Sequence, residues 1–150
     1  MLKLIFMINR AEGMSYERFV DHHRNRHAPL FTSIPEADRY VRGYTVSHPV
    51  PAGKYPPRAY DGMTEIWFEN WEDHDAFFAS ENYRTLVNPD EARFIDMASV
   101  AVMVTEETKV IPAEGTFGGA CCQFDRGDGS PGEVCWVSGE TDSPPAPSSP

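Results

Sequence analysis

Long apolar stretches are missing from this chain of 150 residues. None approaches the ~18–20 residues that a membrane-spanning helix needs. The opening run Met1–Ile8, apolar apart from Lys3, is too short for a secretory core and lacks a small-residue cleavage site. It reads as a buried strand, and the chain is expected to be cytoplasmic. Basic residues are scarce, 13 Lys and Arg against 23 Asp and Glu, for a net charge of −10. Neutralising phosphates takes clustered Lys and Arg, so nucleic acids and anionic membranes are poor partners. There are three cysteines, Cys121, Cys122 and Cys135, with no pair of Cys-x-x-Cys arms and no nearby His. That excludes a disulfide framework or zinc site and leaves free thiols. No Gly-rich phosphate loop and no Gly-x-Ser-x-Gly elbow occurs, so neither a nucleotide cofactor nor a hydrolase nucleophile has a signature.

What is present is globular: 41% hydrophobic residues, with nine Phe, six Tyr and three Trp. Met1–Asn9 has apolar residues on both alternating faces, as a strand covered on both sides does. Ser15 can cap a helix from Tyr16, in which Phe19, His23, His27 and Leu30 recur at three- and four-residue spacing. Pro29 should kink or end it. Arg39–Val46 alternates as a second strand, with Tyr40, Arg42 and Tyr44 on one face. A Pro-rich loop over 48–61 follows, with Asp61 as a turn residue. Gly62–Glu69 is a third strand, with Ile66 and Phe68 on one face and Met63, Glu65 and Trp67 on the other. Asn70 can cap a helix over Trp71–Ala79, whose Trp71, Phe77 and Phe78 read as core. Asn88-Pro89 reads as the start of another helix, and Val100–Thr105 as a fourth strand.

The order β-α-β-β-α-β is the split arrangement of the ferredoxin-like α+β fold, over residues 1–112. Helices cover one face of such a sheet. The other face is also largely apolar, too large a patch to leave in water, so two copies are expected to pack sheet on sheet as a homodimer enclosing a pocket. Residues 113–138 form a Gly-rich extension that reads as a hairpin or arm, and 139–150 a Pro/Ser-rich acidic tail that reads as disordered. Half of the excess negative charge lies beyond residue 112, where Arg126 faces six acids.

Ionisable groups of the first helix and the inner sheet face are the candidates for chemistry. His23 and His27, at i and i+4, share a helix face. With Glu65 as a third ligand they could hold a metal, but the spacing is common and no metal is assigned. His27 reads as a proton-transfer group or as a helix-end histidine bonded to a carbonyl. Glu65 reads as a carboxyl in an apolar pocket or as the ion-pair partner of Arg42. Tyr40, Arg42 and Tyr44 read as donors to a developing oxyanion or as packing residues. His22, His48 and His74 read as surface positions.

The segments KLIFMINRAEGMSYERFVDHHRNRHAPLF, RYVRGYTVSHP and YDGMTEIWFENWEDHDAFFAS resemble the EthD-like family of dimeric α/β barrels. Phe19 spaced from His27-Ala28-Pro29-Leu30, and Asp61-Gly62 followed by Glu65, Trp67 and Phe68, carry the resemblance over about residues 1–108. It implies a ferredoxin-like protomer that dimerises through its sheet. It also implies cofactor-independent proton-transfer chemistry on aromatic polyketides or lactones, as a lyase or isomerase: isomerisation, dehydration, decarboxylation or cyclisation. A cofactor-free monooxygenase forming a quinone and a non-catalytic accessory protein are the rival implications. On this resemblance His27 is the acid or base, with Glu65 and Tyr44 as further catalytic groups. Arg42, Tyr40, Trp67, Met63 and His23 are the substrate-binding candidates. Two departures stand out: His23 where many relatives have an aromatic residue, and Gly43-Tyr44 where many have Asn-His. Because the tail lies outside the recognised body, a folded truncation lacking 139–150 is expected to keep full activity; an inactive one would refute this.

Overall fold

The computed structural model describes residues 1–111. The chain divides into two units, Met1–Val110 and Ile111–Pro150. The arm expected over 113–138, the tail and the three cysteines lie outside the described residues.

The first unit runs β1 (Leu2–Ile8), α1 (Tyr16–His22), a π turn (His23–His27), α2 (Ala28–Ser33), α3 (Pro35–Tyr40), β2 (Val41–Ser47) and β3 (Gly62–Phe68). It continues with α4 (Trp71–Ala79), a second π turn (Tyr83–Val87), α5 (Asn88–Phe94), a 3-10 turn (Met97–Ser99) and β4 (Ala101–Thr105). The sheet is antiparallel in the order β2-β3-β1-β4. This is the ferredoxin-like arrangement expected from the order of elements.

Local chemistry explains most boundaries. Ser15 accepts a hydrogen bond from the Arg18 N–H and starts α1, and Asn70 accepts from the Asp73 N–H and starts α4. Pro29 and Pro89 share a device. A proline inside an α-helix lacks its N–H, and its ring crowds the carbonyl four residues back. Just before Pro29 the Ala28 N–H donates to the His23 carbonyl, five residues back, and just before Pro89 the Asn88 N–H donates to Tyr83 in the same way. Each π turn widens the helix where the proline must be accommodated, so the path bends rather than stops. α5 begins at Asn88 as expected, but Asn88 is itself helical and makes no side-chain cap.

Leu4, Ile66 and Phe68 of the sheet pack against Phe31, Phe77 and Val87 of the helices. A smaller cluster of Ile8, Phe19 and Phe94 closes the other end. Phe77 and Phe78 belong to this packing, whereas Trp71 is 52% exposed and lies outside it. The second strand departs most from expectation. Arg39 and Tyr40 close α3, and an irregularity between Val41 and Gly43 breaks the alternation. Arg42 is exposed, donates to the Arg39 carbonyl and lies 3.6 Å from Asp73. Tyr44, paired with Ile66, is turned to the helix side and stacks on Phe31 at 4.1 Å. Gly43 is tightly constrained, since a Cβ there would come within 2.9 Å of the Trp67 ring.

The uncovered face carries Lys3, Ile5 and Met7 of β1 opposite Trp67, Glu65 and Met63 of β3, with Met103 on β4. Phe77 is fully buried within the main cluster. Phe77→Ala is expected to cost about 3–5 kcal/mol in urea unfolding; a loss below about 1 kcal/mol would show that this layer is not the core.

Candidate active site

The first π turn buries His23 and His27, and the second buries Tyr83 and Val87, while their remaining polar residues stay exposed. His23 and His27 are only 1% and 4% exposed. Phe94 is fully buried, and the rings of His22, His23 and His27 pack round it at 4.7, 5.4 and 5.0 Å. Two hydrogen-bonded groups result.

The first is centred on Asp90 in the first turn of α5. His27 Nδ1–H donates to Asp90 Oδ2 at 2.9 Å, and His22 Nε2–H donates to the same carboxylate at 3.0 Å. Burial works to raise the Asp90 pKa, but the bonds from His27 and His22 outweigh it and hold the carboxyl below its usual range. Burial lowers the His27 pKa, and Asp90 only partly offsets this, so the ring is neutral at neutral pH. With Nδ1–H committed to Asp90, the lone pair sits on Nε2, which has no hydrogen-bond partner among the described residues.

The second group is His23. Its Nδ1 is 3.0 Å from His48 Nε2, and its Nε2 is 3.0 Å from Thr64 Oγ1. Burial, then the neighbouring His48, push its pKa down to about 3. Both ring nitrogens are engaged, so His23 is a fixed neutral strut between α1, β3 and the loop after β2.

A cavity lies between helices and sheet, with room of about 90 Å³ for the centres of water-sized molecules. Its walls are mostly apolar, with Phe6 and Ile66 from the sheet, Phe31 and Phe78 from the helices, and Ile95 and Met97 from the segment before β4. His23, His27, Tyr44, Tyr83 and Glu91 supply most of its polar lining. The Tyr44 hydroxyl is buried with no hydrogen-bond partner among the described residues. Glu91, next to Asp90, accepts from the Tyr83 hydroxyl at 3.2 Å, and burial pushes its pKa up to about 7.

Of the residues singled out in the sequence, the structure brings His23, His27 and Tyr44 to one cavity. Glu65, Met63 and Trp67 sit on the opposite face of the sheet, because successive strand residues alternate in direction. Glu65 pairs with Lys3 on β1, neither with Arg42 nor with the histidines, so it is not a third ligand beside them. Among the described residues no group of three His, Cys, Asp or Glu is placed to hold a metal ion. Tyr40, at the end of α3, and the exposed Arg42 do not line the cavity either. This cavity lies within one protomer, between its helices and its sheet. His22 and His48, read as surface residues, are tied to Asp90 and His23. Asp90, Glu91, Tyr83 and Thr64 were not anticipated. The acidic pair after Asn88-Pro89 was the available signal, but it reads equally well as ordinary N-terminal helix charge.

The chain is a small α+β protein of the ferredoxin-like class, with a histidine–carboxylate pair at an apolar cavity. Within that class, the model of the EthD domain matches residues 11–98, more than half of the chain, and the chain belongs to this family. Among solved structures it is similar to an EthD family protein from Bacillus halodurans, at 23% identity and a TM-score of 0.57, covering 72% of this chain and 99% of that one. It is also similar to HapK from Hahella chejuensis, at 17% identity and 0.54, covering 77% and 100%. A dimeric protein of unknown function and ferredoxin-like fold from Bacteroides fragilis matches at 14% and 0.54, covering 71% and 95%. No curated protein matches.

The buried neutral His23 makes a signed prediction. Unfolded, it titrates near 6.5; folded, near 3. Between these values the unfolded chain binds the extra proton, so its contribution to stability is lost as pH falls. The stability difference between wild type and His23→Gln is expected to shrink by up to about 1.4 kcal/mol per pH unit below pH ~6.5. A difference constant from pH 7 to 4.5 in urea titrations would refute a neutral His23.

Proposed function

We propose that this EthD family protein is a cofactor-independent enzyme of acid–base chemistry, acting on a hydrophobic aromatic or lactone-like substrate. The observation that carries this reading is the His27–Asp90 pair opening onto an apolar cavity. A histidine held by Nδ1 to a carboxylate, with Nε2 free, can take a proton from a substrate carbon or hydroxyl, and Asp90 steadies the imidazolium that forms. Proton transfer at a site of this kind contributes typically ~10²–10⁴-fold to rate. The apolar walls select flat, weakly polar substrates and exclude water. Tyr44, whose hydroxyl has no protein acceptor among the described residues, can donate to oxygen that gains charge as the proton leaves. The reaction is of lyase or isomerase type.

The uncovered sheet face supports a homodimer. Ile5, Met7, Met63, Trp67 and Met103 lie on it round the Lys3–Glu65 pair, and the Bacteroides fragilis relative is described as dimeric. Glu65, Met63 and Trp67 belong to that contact on this reading, not to the reaction.

The test is thermal stability against aromatic polyketides, quinones and lactones, for wild type and His27→Asn, followed by product analysis of any hit. A ligand at 100 times its dissociation constant stabilises by about 2.7 kcal/mol. Conversion by wild type, with a loss of at least ~10²-fold in His27→Asn, is expected. A ligand bound by both proteins and converted by neither would make this a binding protein, and conversion with uptake of oxygen would make it an oxygenase.

A further inference from the structure

The proposed reaction uses one side of the cavity, and a second ionisable group remains. Glu91 lines the same cavity, largely buried, with Tyr83 bonded to it and Asp90 beside it in the chain. The Tyr83 hydroxyl is shared between its two carboxyl oxygens at 3.2 Å each, which fixes the carboxyl in place. Tyr44, stacked on Phe31, brings to the same cavity a hydroxyl that has no hydrogen-bond partner among the described residues. A seated carboxyl and a phenol without a partner among the described residues line one apolar cavity, and both can donate to an oxygen placed there.

We infer that Glu91 is the acid that works opposite His27, and that the substrate is an enolisable ring ketone whose carbonyl oxygen is received by Glu91 and Tyr44. The inference rests on the reading of His27 as base. His27 Nε2 takes a proton from the carbon beside the carbonyl, and the C–H electron pair becomes the new C=C bond. The carbonyl π pair moves to oxygen, which takes the carboxyl proton of Glu91, while Tyr44 donates a hydrogen bond to that oxygen. His27 ends protonated, Glu91 ionised and the substrate an enol. Where a ring C=C is conjugated with the enol, return of the enol proton to Glu91 re-forms the carbonyl, the enol π pair moves through that C=C, and the His27 proton goes to its far carbon. The ketone is isomerised and both groups are restored, with no oxidant or reductant. Pure decarboxylation does not call for such a base–acid pair.

The pH dependence follows from the groups facing Glu91. Tyr83 comes from the second π turn, Tyr44 from β2 and Asp90 from its own helix, while His27 lines the same cavity. Turnover needs His27 neutral and Glu91 protonated, so it rises as His27 loses its proton and falls as pH passes about 7, where Glu91 ionises.

The experiment uses 2-tetralone, an enolisable bicyclic aromatic ketone, with the full chain in D2O. NMR follows exchange of the protons beside the carbonyl, with heat-denatured protein as background. Wild type is expected to accelerate exchange with a bell-shaped pH profile. Glu91→Gln should slow it by about 10²-fold or more and remove the alkaline limb. Tyr83→Phe removes a bond that holds the Glu91 pKa down, so whatever it does to the rate it should move the alkaline limb to higher pH, even if Glu91→Gln does not fold. Exchange lost in His27→Asn, with the rate and alkaline limb unchanged in folded Glu91→Gln or the limb unmoved in Tyr83→Phe, would overturn the role of Glu91 and leave the base intact. No exchange above background in wild type would overturn both readings.

Discussion

Asp90 holds the two halves of this protomer together at their most polar point. Asp90 is 7% exposed, an expensive place for a charge unless that charge is well partnered. The partners are His22 and His27, from the other half of the chain, and the three are packed against Phe94. Removing either side of the contact strands the other in an apolar setting. The same contact chooses the tautomer of His27. Structure and proposed chemistry thus depend on one hydrogen-bonded carboxylate.

The surrounding architecture serves that contact. The antiparallel sheet gives a rigid floor, and its helix-side residues alternate with those of the uncovered face. Thr64 is set among apolar neighbours on the floor, where it meets His23. His23 in turn ties the loop after β2, through His48, to the helix layer. The cavity is left over where the large aromatic side chains of the two layers do not fully meet.

The elements were legible in the sequence because they rest on local chemistry: alternation along β1 and β3, and the caps Ser15 and Asn70. Tyr44 was displaced from its expected face because alternation presumes unbroken pairing, and the irregularity after Val41 adds a residue. His27 was readable from its helix face and from the resemblance to the family. Asp90 was not, because a carboxylate immediately after an Asn-Pro pair looks like ordinary first-turn charge. Its burial depends on residues 63 and 68 positions away. Glu65 was assigned correctly to its strand face, but the cavity lies on the other side of the sheet.

The π turn before Pro29 has a consequence for how this site can vary over evolution. Such a turn holds one residue more than an α-helical turn, and one residue is worth about 100° of rotation round the helix axis. His27 therefore faces Asp90 by virtue of a count of residues as much as by its own identity. By this geometry a substitution at positions 23–26 that keeps the turn leaves the direction of that side chain unchanged, whereas the gain or loss of a single residue there re-aims it. The matching turn ahead of Pro89 sets the direction of Asp90 and Glu91 by the same arithmetic. An alignment gap at either place marks a different site, however similar the flanking residues.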